Sequence, residues 1–248
     1  MEKSKKRNIK LAIIDNSINS EIYNPLQDWK SYLNVDWTSF RAIKSHFPRF
    51  SDGYTHLLLT GSEASILERE NWVHEEIEVI HQAIEKGLSI LGSCYGHQLL
   101  ALALAGAAHV ARSEKPEVGW IAISIKETNN ILGQQKRAYS FSIHFDEVVN
   151  LPEPFLVLAS SKSCQNQAFQ WKGRPIWGIQ IHPEIEVSSA KKLLRTLIDQ
   201  DLHNRHIFEK GLESQPKDSG LIYPIIALFL GSGNRDGNSL VSVQDKRS

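Results

Sequence analysis

Apolar residues gather along the chain in short, nearly unbroken runs. They occupy residues 9–15 (Ile-Lys-Leu-Ala-Ile-Ile-Asp), 56–60 (His-Leu-Leu-Leu-Thr), 88–91 (Leu-Ser-Ile-Leu) and 176–181 (Ile-Trp-Gly-Ile-Gln-Ile). Runs of this length without alternation predict strands covered on both faces, as in a parallel sheet. A further strand is expected at 35–40, a helix at 20–33, and a loop with a short helical piece at 41–54. Val73, Ile77, Ile80 and Ile84 repeat at helical spacing within 72–86, and Gly87 stands where such a helix stops. An Ala- and Leu-rich helical pattern follows residue 94. Strand and helix in alternation imply right-handed crossovers.

From 107 to 171 the rhythm changes to alternation, at 118–125, 138–143 and 155–159. These stretches predict shorter, partly antiparallel strands. A closing helix carries Ala190, Leu193, Leu194, Leu197 and Ile198 on one face, with Ser188 or Ser189 as its N-cap. The expected fold class is therefore α/β: a mostly parallel central sheet with helices on both faces, plus a small antiparallel sheet. Organisation divides into a basic tail (1–7), a main domain (8–210) and an extension (211–248). Within the extension, residues 221–230 are apolar but interrupted by Pro224, too short to cross a bilayer. That segment is expected to pack back on the domain or against a second copy in a homodimer. The last residues are expected to be disordered.

Composition narrows the function classes. Lys plus Arg and Asp plus Glu both number 28, so no charge excess favours nucleic acid or a membrane surface as partner. The two cysteines, Cys94 and Cys164, offer neither a disulfide framework nor paired metal-ligand spacing. A reducing, cytoplasmic setting fits them, and the basic start lacks the apolar run of a signal peptide. The histidines at 46, 56, 74, 81, 109, 203 and 206 lack ligand spacing, so no metal and no cofactor is expected.

Chemistry concentrates at 88–98. A predicted strand, Gly92-Ser93-Cys94-Tyr95-Gly96, and a predicted helix form the nucleophile-elbow pattern with sulfur in place of a hydroxyl. A thiol nucleophile needs a base, and the base needs an orienting carboxylate. His182-Pro183-Glu184 offers both, two residues apart on an extended segment where side chains share a side. The order Cys, His, Glu differs from that of α/β-hydrolases, in which the acid precedes the histidine. Acyl transfer also needs oxyanion donors. The N–H of Tyr95 is one by position; Gly61-Ser62 is either the second or merely a strand-to-helix turn.

The segments Leu-Leu-Leu-Thr-Gly-Ser-Glu (57–63), Gly-Ser-Cys-Tyr-Gly-His-Gln (92–98) and Gly-Ile-Gln-Ile-His-Pro-Glu (178–184) resemble the three landmarks of class I glutamine amidotransferase domains. Pro116-Glu117-Val118-Gly119-Trp120, Ser142-Ile143-His144-Phe145-Asp146 and Ser160-Ser161-Lys162-Ser163-Cys164 add to a likeness with the glutaminase domain of GMP synthase. The resemblance covers roughly 8–205 and implies a flavodoxin-like fold. It implies a catalytic triad of Cys94, His182 and Glu184, an oxyanion hole from Gly61 and Tyr95, and substrate contacts from Gln98, Ser142, Ile143, His144 and Phe145. The substrate it implies is glutamine or another γ-glutamyl amide, cleaved through a Cys94 thioester to glutamate and ammonia. Two departures stand out. Gly61-Ser62-Glu63 replaces the usual Gly-Gly-Pro, and neither a P-loop nor a Ser-Gly-Gly-x-Asp-Ser nucleotide loop occurs in this chain. Ammonia would accordingly serve a separate ATP-using synthetase subunit. The alternatives are a standalone γ-glutamyl peptidase and a non-catalytic binding protein of the same fold.

Overall fold

The computed structural model describes residues 9–126 and 131–232; the basic tail and the Gly/Ser/Asn-rich end from 233 lie outside them. The parallel strands are β1 (Lys10–Asp15), β2 (Asp36–Arg41), β3 (His56–Leu59), β4 (Ser89–Ser93) and β9 (Ile176–Ile179), and the antiparallel ones β5 (Val110–Ile125), β6 (Arg137–Val148), β7 (Phe155–Ser160) and β8 (Ala168–Trp171). All nine form one sheet in the order β2-β1-β3-β4-β9-β8-β7-β5-β6. The antiparallel strands expected as a small sheet thus extend the parallel half across β8–β9 as a continuous layer.

Alternation along the parallel strands sorts their side chains to two faces. Ala12, Ile14, Leu57, Leu59 and Ile90 pack under α2 (Val73–Glu85) and α3 (Tyr95–Ala105). Leu11, Ile13, Leu58 and Leu91 face the other way, under α1 (Pro25–Lys30) and α6 (Ile222–Gly231). The apolar segment near the C-terminus therefore covers the sheet: Ile222, Ile225 and Phe229 are buried in that second core. Pro224 falls in the first turn of α6, where its missing N–H has no intrahelical partner to lose.

Five elements differ from expectation. The helix expected at 20–33 is only α1, because the Asn24 side chain caps it at 3.2 Å from the Gln27 N–H and Pro25 opens it. Residues 19–23 instead close a turn, with the Ile22 and Tyr23 N–H groups both on the Asn19 carbonyl at 3.0 Å. Strands β5 and β6 run longer than their apolar cores, because a bulge between Arg112 and Glu117 breaks the alternation. The closing helix α4 (Val187–Gln200) starts before Ser188 and is capped by Glu186 without a side-chain bond. A short helix, α5 (Arg205–Glu213), follows and buries Phe208 against α4 and the β5–β6 hairpin.

Candidate active site

Cys94 alone makes the turn from β4 into α3, at φ 50° and ψ −105°. An L-residue held there stores about 1–3 kcal/mol of strain, which only an over-determined surrounding maintains. The surroundings are built for it. A Cβ on Gly92 would overlap the Gly96 carbonyl, and one on Gly96 would overlap the Leu59 carbonyl, so G-x-C-x-G admits no side chain at either glycine. The Cys94 N–H donates to the Ile179 carbonyl at 2.8 Å and the Gly96 N–H to the Thr60 carbonyl at 3.1 Å. The elbow is thereby stitched to both neighbouring strands. Its sulfur lies 3.7 Å from the Ile143 carbonyl oxygen.

Strand β9 neighbours β4 in parallel, so the segment leaving β9 emerges at the same sheet edge as the elbow. His182 on that segment is 2% exposed and Glu184 fully buried. Nδ1 of His182 sits 2.8 Å from Oε1 of Glu184. Burial alone disfavours the charged imidazole. The negative charges of Cys94 and Glu184 outweigh it and hold His182 up at about 10. The ring thus stands between the Cys94 sulfur and the Glu184 carboxylate.

Cys94, Tyr95, Gln98, Ile143, His144, Phe145 and His182 line one cavity of about 690 Å³. Glu184 stands outside it, behind His182. Gly61 and Ser142 are not among the lining residues: Gly61 sits beside His182, and Ser142 is buried within β6. Gln98 is fixed through its amide nitrogen, which donates to the Asp146 carbonyl at 2.8 Å and to Gln180 Oε1 at 3.1 Å. His144 turns its ring away from sulfur chemistry. Its Nδ1 lies 3.0 Å from the Asp146 carbonyl and its Nε2 3.3 Å from Glu117 Oε2. Ser161 donates to the other Glu117 oxygen at 2.6 Å. The three accessory motifs of the sequence thus converge in one buried hydrogen-bond network that supports the cavity wall.

The turn opposite the elbow is tied down by the two residues that depart from Gly-Gly-Pro. Ser62 Oγ accepts the Ala64 N–H at 3.0 Å, and the Glu63 carboxylate accepts the N–H groups of Ile18 and Asn19 at 2.8 and 3.0 Å. Asp146 secures the following residues, accepting from Ser65 Oγ at 2.6 Å and the Ile66 N–H at 3.1 Å, while Arg112 reaches its other oxygen at 3.0 Å.

The model of the glutamine amidotransferase class-I family matches residues 12–199. The chain belongs to that family. Among similar curated proteins is a glutamine-hydrolysing GMP synthase subunit from Thermococcus kodakarensis, 39% identical over 169 residues, spanning 63% of this chain and 81% of that one. Its counterpart from Methanocaldococcus jannaschii is 39% identical over 104 residues; there the chain spans only 54% of the relative's length. A crystal structure described as a GMP synthase subunit, from Thermoplasma acidophilum, superposes with TM-score 0.62 at 29% identity, covering 83% of this chain and all of that one. A glutamine amidotransferase structure from Thermotoga maritima gives TM-score 0.74 at 21% identity over 91% of this chain and all of that one, which is a likeness of fold.

Several cavity residues carried no sequence signal. Tyr23 fell in a stretch that reads as helix, Arg112 lies in the bulged part of β5, and Ile207 and Phe208 belong to α5, beyond the family match. Asp146 was legible as the last residue of an accessory motif. Cys164 is 1% exposed, and burial pushes its thiol well up, so it is inert as a nucleophile. Among the described residues no His, Cys, Asp and Glu cluster could hold a metal ion, and no helix is long and apolar enough to cross a membrane.

Proposed function

We propose that the protein hydrolyses the γ-carboxamide of glutamine, or a γ-glutamyl amide, through a thioester on Cys94. The observation that carries this reading is a strained Cys94 in one cavity with an imidazole whose far nitrogen is held by a buried carboxylate. The Cys94 thiolate attacks the γ-carbonyl carbon, and the carbonyl electrons move to oxygen. The Tyr95 N–H, which α3 itself does not engage in its first turn, and the turn at Gly61 bind that oxyanion. Nε2 of His182, on the sulfur side of the ring, gives its proton to the departing nitrogen, and ammonia leaves. Water then attacks the thioester while His182 takes back a proton. Collapse expels the thiolate and releases glutamate. Glu184 holds the orientation of the imidazole throughout and supports its charge whenever Nε2 carries a proton. Gln98 and the backbone of 143–145 hold the glutamyl group.

Incubation with glutamine, with glutamate and ammonia as readouts, tests the proposal against Cys94→Ala. Equal release by both proteins would sink it. The relatives named as GMP synthase subunits support delivery of the ammonia to a separate ATP-using synthetase. Slow release that rises sharply with a co-purified ATP-using partner is the expected behaviour. A second reading, a standalone γ-glutamyl peptidase, draws on the cavity itself. Residues beyond the family match, Ile207 and Phe208, add an apolar wall to a space larger than glutamine fills. Turnover of γ-glutamyl peptides in preference to glutamine would select it.

A further inference from the structure

We propose that Tyr23 is a catalytic residue whose hydroxyl donates to the oxyanion of the tetrahedral intermediate, beside the Gly61 turn. The inference rests on the acyl-transfer reading above and deepens it.

Tyr23 is 6% exposed, yet it lines the cavity shared by Cys94 and His182. Its hydroxyl is buried and has no hydrogen-bond partner in the protein. Buried hydroxyls in native structures are nearly always paired, so an unpaired one at a reaction cavity points to a partner that arrives with the substrate. Its place is defined on two sides. The hydroxyl oxygen lies 2.7 Å from where a Cβ on Gly61 would stand, at the turn opposite the elbow. The ring meets the His182 imidazole edge-on, with centroids 6.0 Å apart at 86°. Burial, and then the charges of Glu184 and Cys94, hold the phenol well above its ordinary value, so it stays protonated and is a donor throughout the working pH range.

What brings Tyr23 there is the departure from Gly-Gly-Pro. Glu63 accepts the N–H groups of Ile18 and Asn19, and the Asn19 carbonyl in turn accepts the N–H of Tyr23 at 3.0 Å. One short relay therefore runs from the altered turn to the tyrosine. Glu63 locks the 61–63 backbone and, with the same carboxylate, delivers a side-chain donor to the place that turn borders. A side-chain donor then stands beside the backbone donors proposed at Tyr95 and the Gly61 turn.

Tyr23→Phe removes only the unpartnered oxygen, so the melting temperature is expected to stay at or slightly above that of the wild type. Loss of one oxyanion donor lowers kcat by about 10²-fold; a fall of that order on glutamine is expected, with KM within about twofold. Two further measurements separate the possible causes. Alkylation of Cys94 by iodoacetamide forms no oxyanion and is expected to keep its rate. Glutamate γ-semialdehyde adds to the thiolate as a tetrahedral hemithioacetal, and its protection of Cys94 against iodoacetamide is expected to weaken about tenfold or more, as for a lost transition-state contact. Unchanged kcat and unchanged aldehyde capture would overturn the proposal. Slower alkylation in Tyr23→Phe would also overturn it, by showing that the hydroxyl acts on the His182–Glu184 pair. A wild-type protein that captures the aldehyde but releases no ammonia would refute glutamine hydrolysis while still testing Tyr23 through capture. One that does neither would refute both.

Discussion

Replacing Glu184 by Gln is the most informative single change in the proposed triad. The substitution keeps shape and one hydrogen-bonding oxygen at a fully buried site but removes the charge that faces the His182 imidazole across 2.8 Å. Charge centres about 4 Å apart interact by about 4 kcal/mol at an effective dielectric of 20. The retained amide hydrogen bond returns about 1 kcal/mol. The imidazolium that protonates the leaving nitrogen therefore loses about 3 kcal/mol, which corresponds to about 10²-fold in kcat. The pH profile should move as well. Glu184 is one of the two charges that hold His182 at about 10. A proton held less tightly is lost at lower pH, so the basic limb of kcat/KM should shift down from that of the wild type. Glutamate release measured from pH 6 to 11 tests both effects. A kcat within threefold of the wild type, with the basic limb unmoved, would refute the account of Glu184 as electrostatic support.

Two other changes probe the fold around the site. Glu76 of α2 is fully buried, and burial raises it to about 8 from an ordinary 4.5, opposed by a hydrogen bond from Asn16. The folded state then holds a proton that the unfolded chain releases between those values, so stability falls as pH rises through that window and levels off above it. Glu76→Gln should be more stable than the wild type, with a gap widening from pH 5 to 8 to about 3–4 kcal/mol; pH-independent melting differences would contradict this. Phe229 of α6 is fully buried, its ring 5.2 Å from that of His56 and its carbonyl 3.1 Å from His56 Nε2. Phe229→Ala should cost about 3–5 kcal/mol in urea unfolding, and an unchanged midpoint would show that α6 is not part of the core.

The parallel half of the sheet was legible because burial on both faces leaves strands as plain apolar runs, and the strand-turn-helix at Cys94 announces itself by glycine spacing that close backbone approach requires. The His182–Glu184 pair was legible for a similar reason, being local in sequence. What escaped was set by packing. Strand β8, between Gln167 and Lys172, is four residues long and has too little alternation to register. Helix α5 carries few apolar residues and is held by Phe208 against the ring of Phe145, a contact between distant segments. Tyr23 sits in a turn fixed by Glu63, forty residues away in the chain, and no periodicity reports such a bond. The role of α6 was open between two surfaces, since an apolar segment states that it is covered and not by what.

The register that joins β4 to β9 pairs Gly92 with Gly178 and Ser93 with Ile179, although α3 and all of β5 to β8 lie between them in the chain. The proposed nucleophile and its base are thus brought together only when a long loop of chain has closed. A growing polypeptide that has delivered Cys94 but not residues 176–184 has neither the His182 imidazole nor the Glu184 carboxylate to set beside it. On the proposed mechanism reactivity is therefore born late, with the last parallel strand, and a chain that misfolds or stalls before that point presents no complete triad to its surroundings.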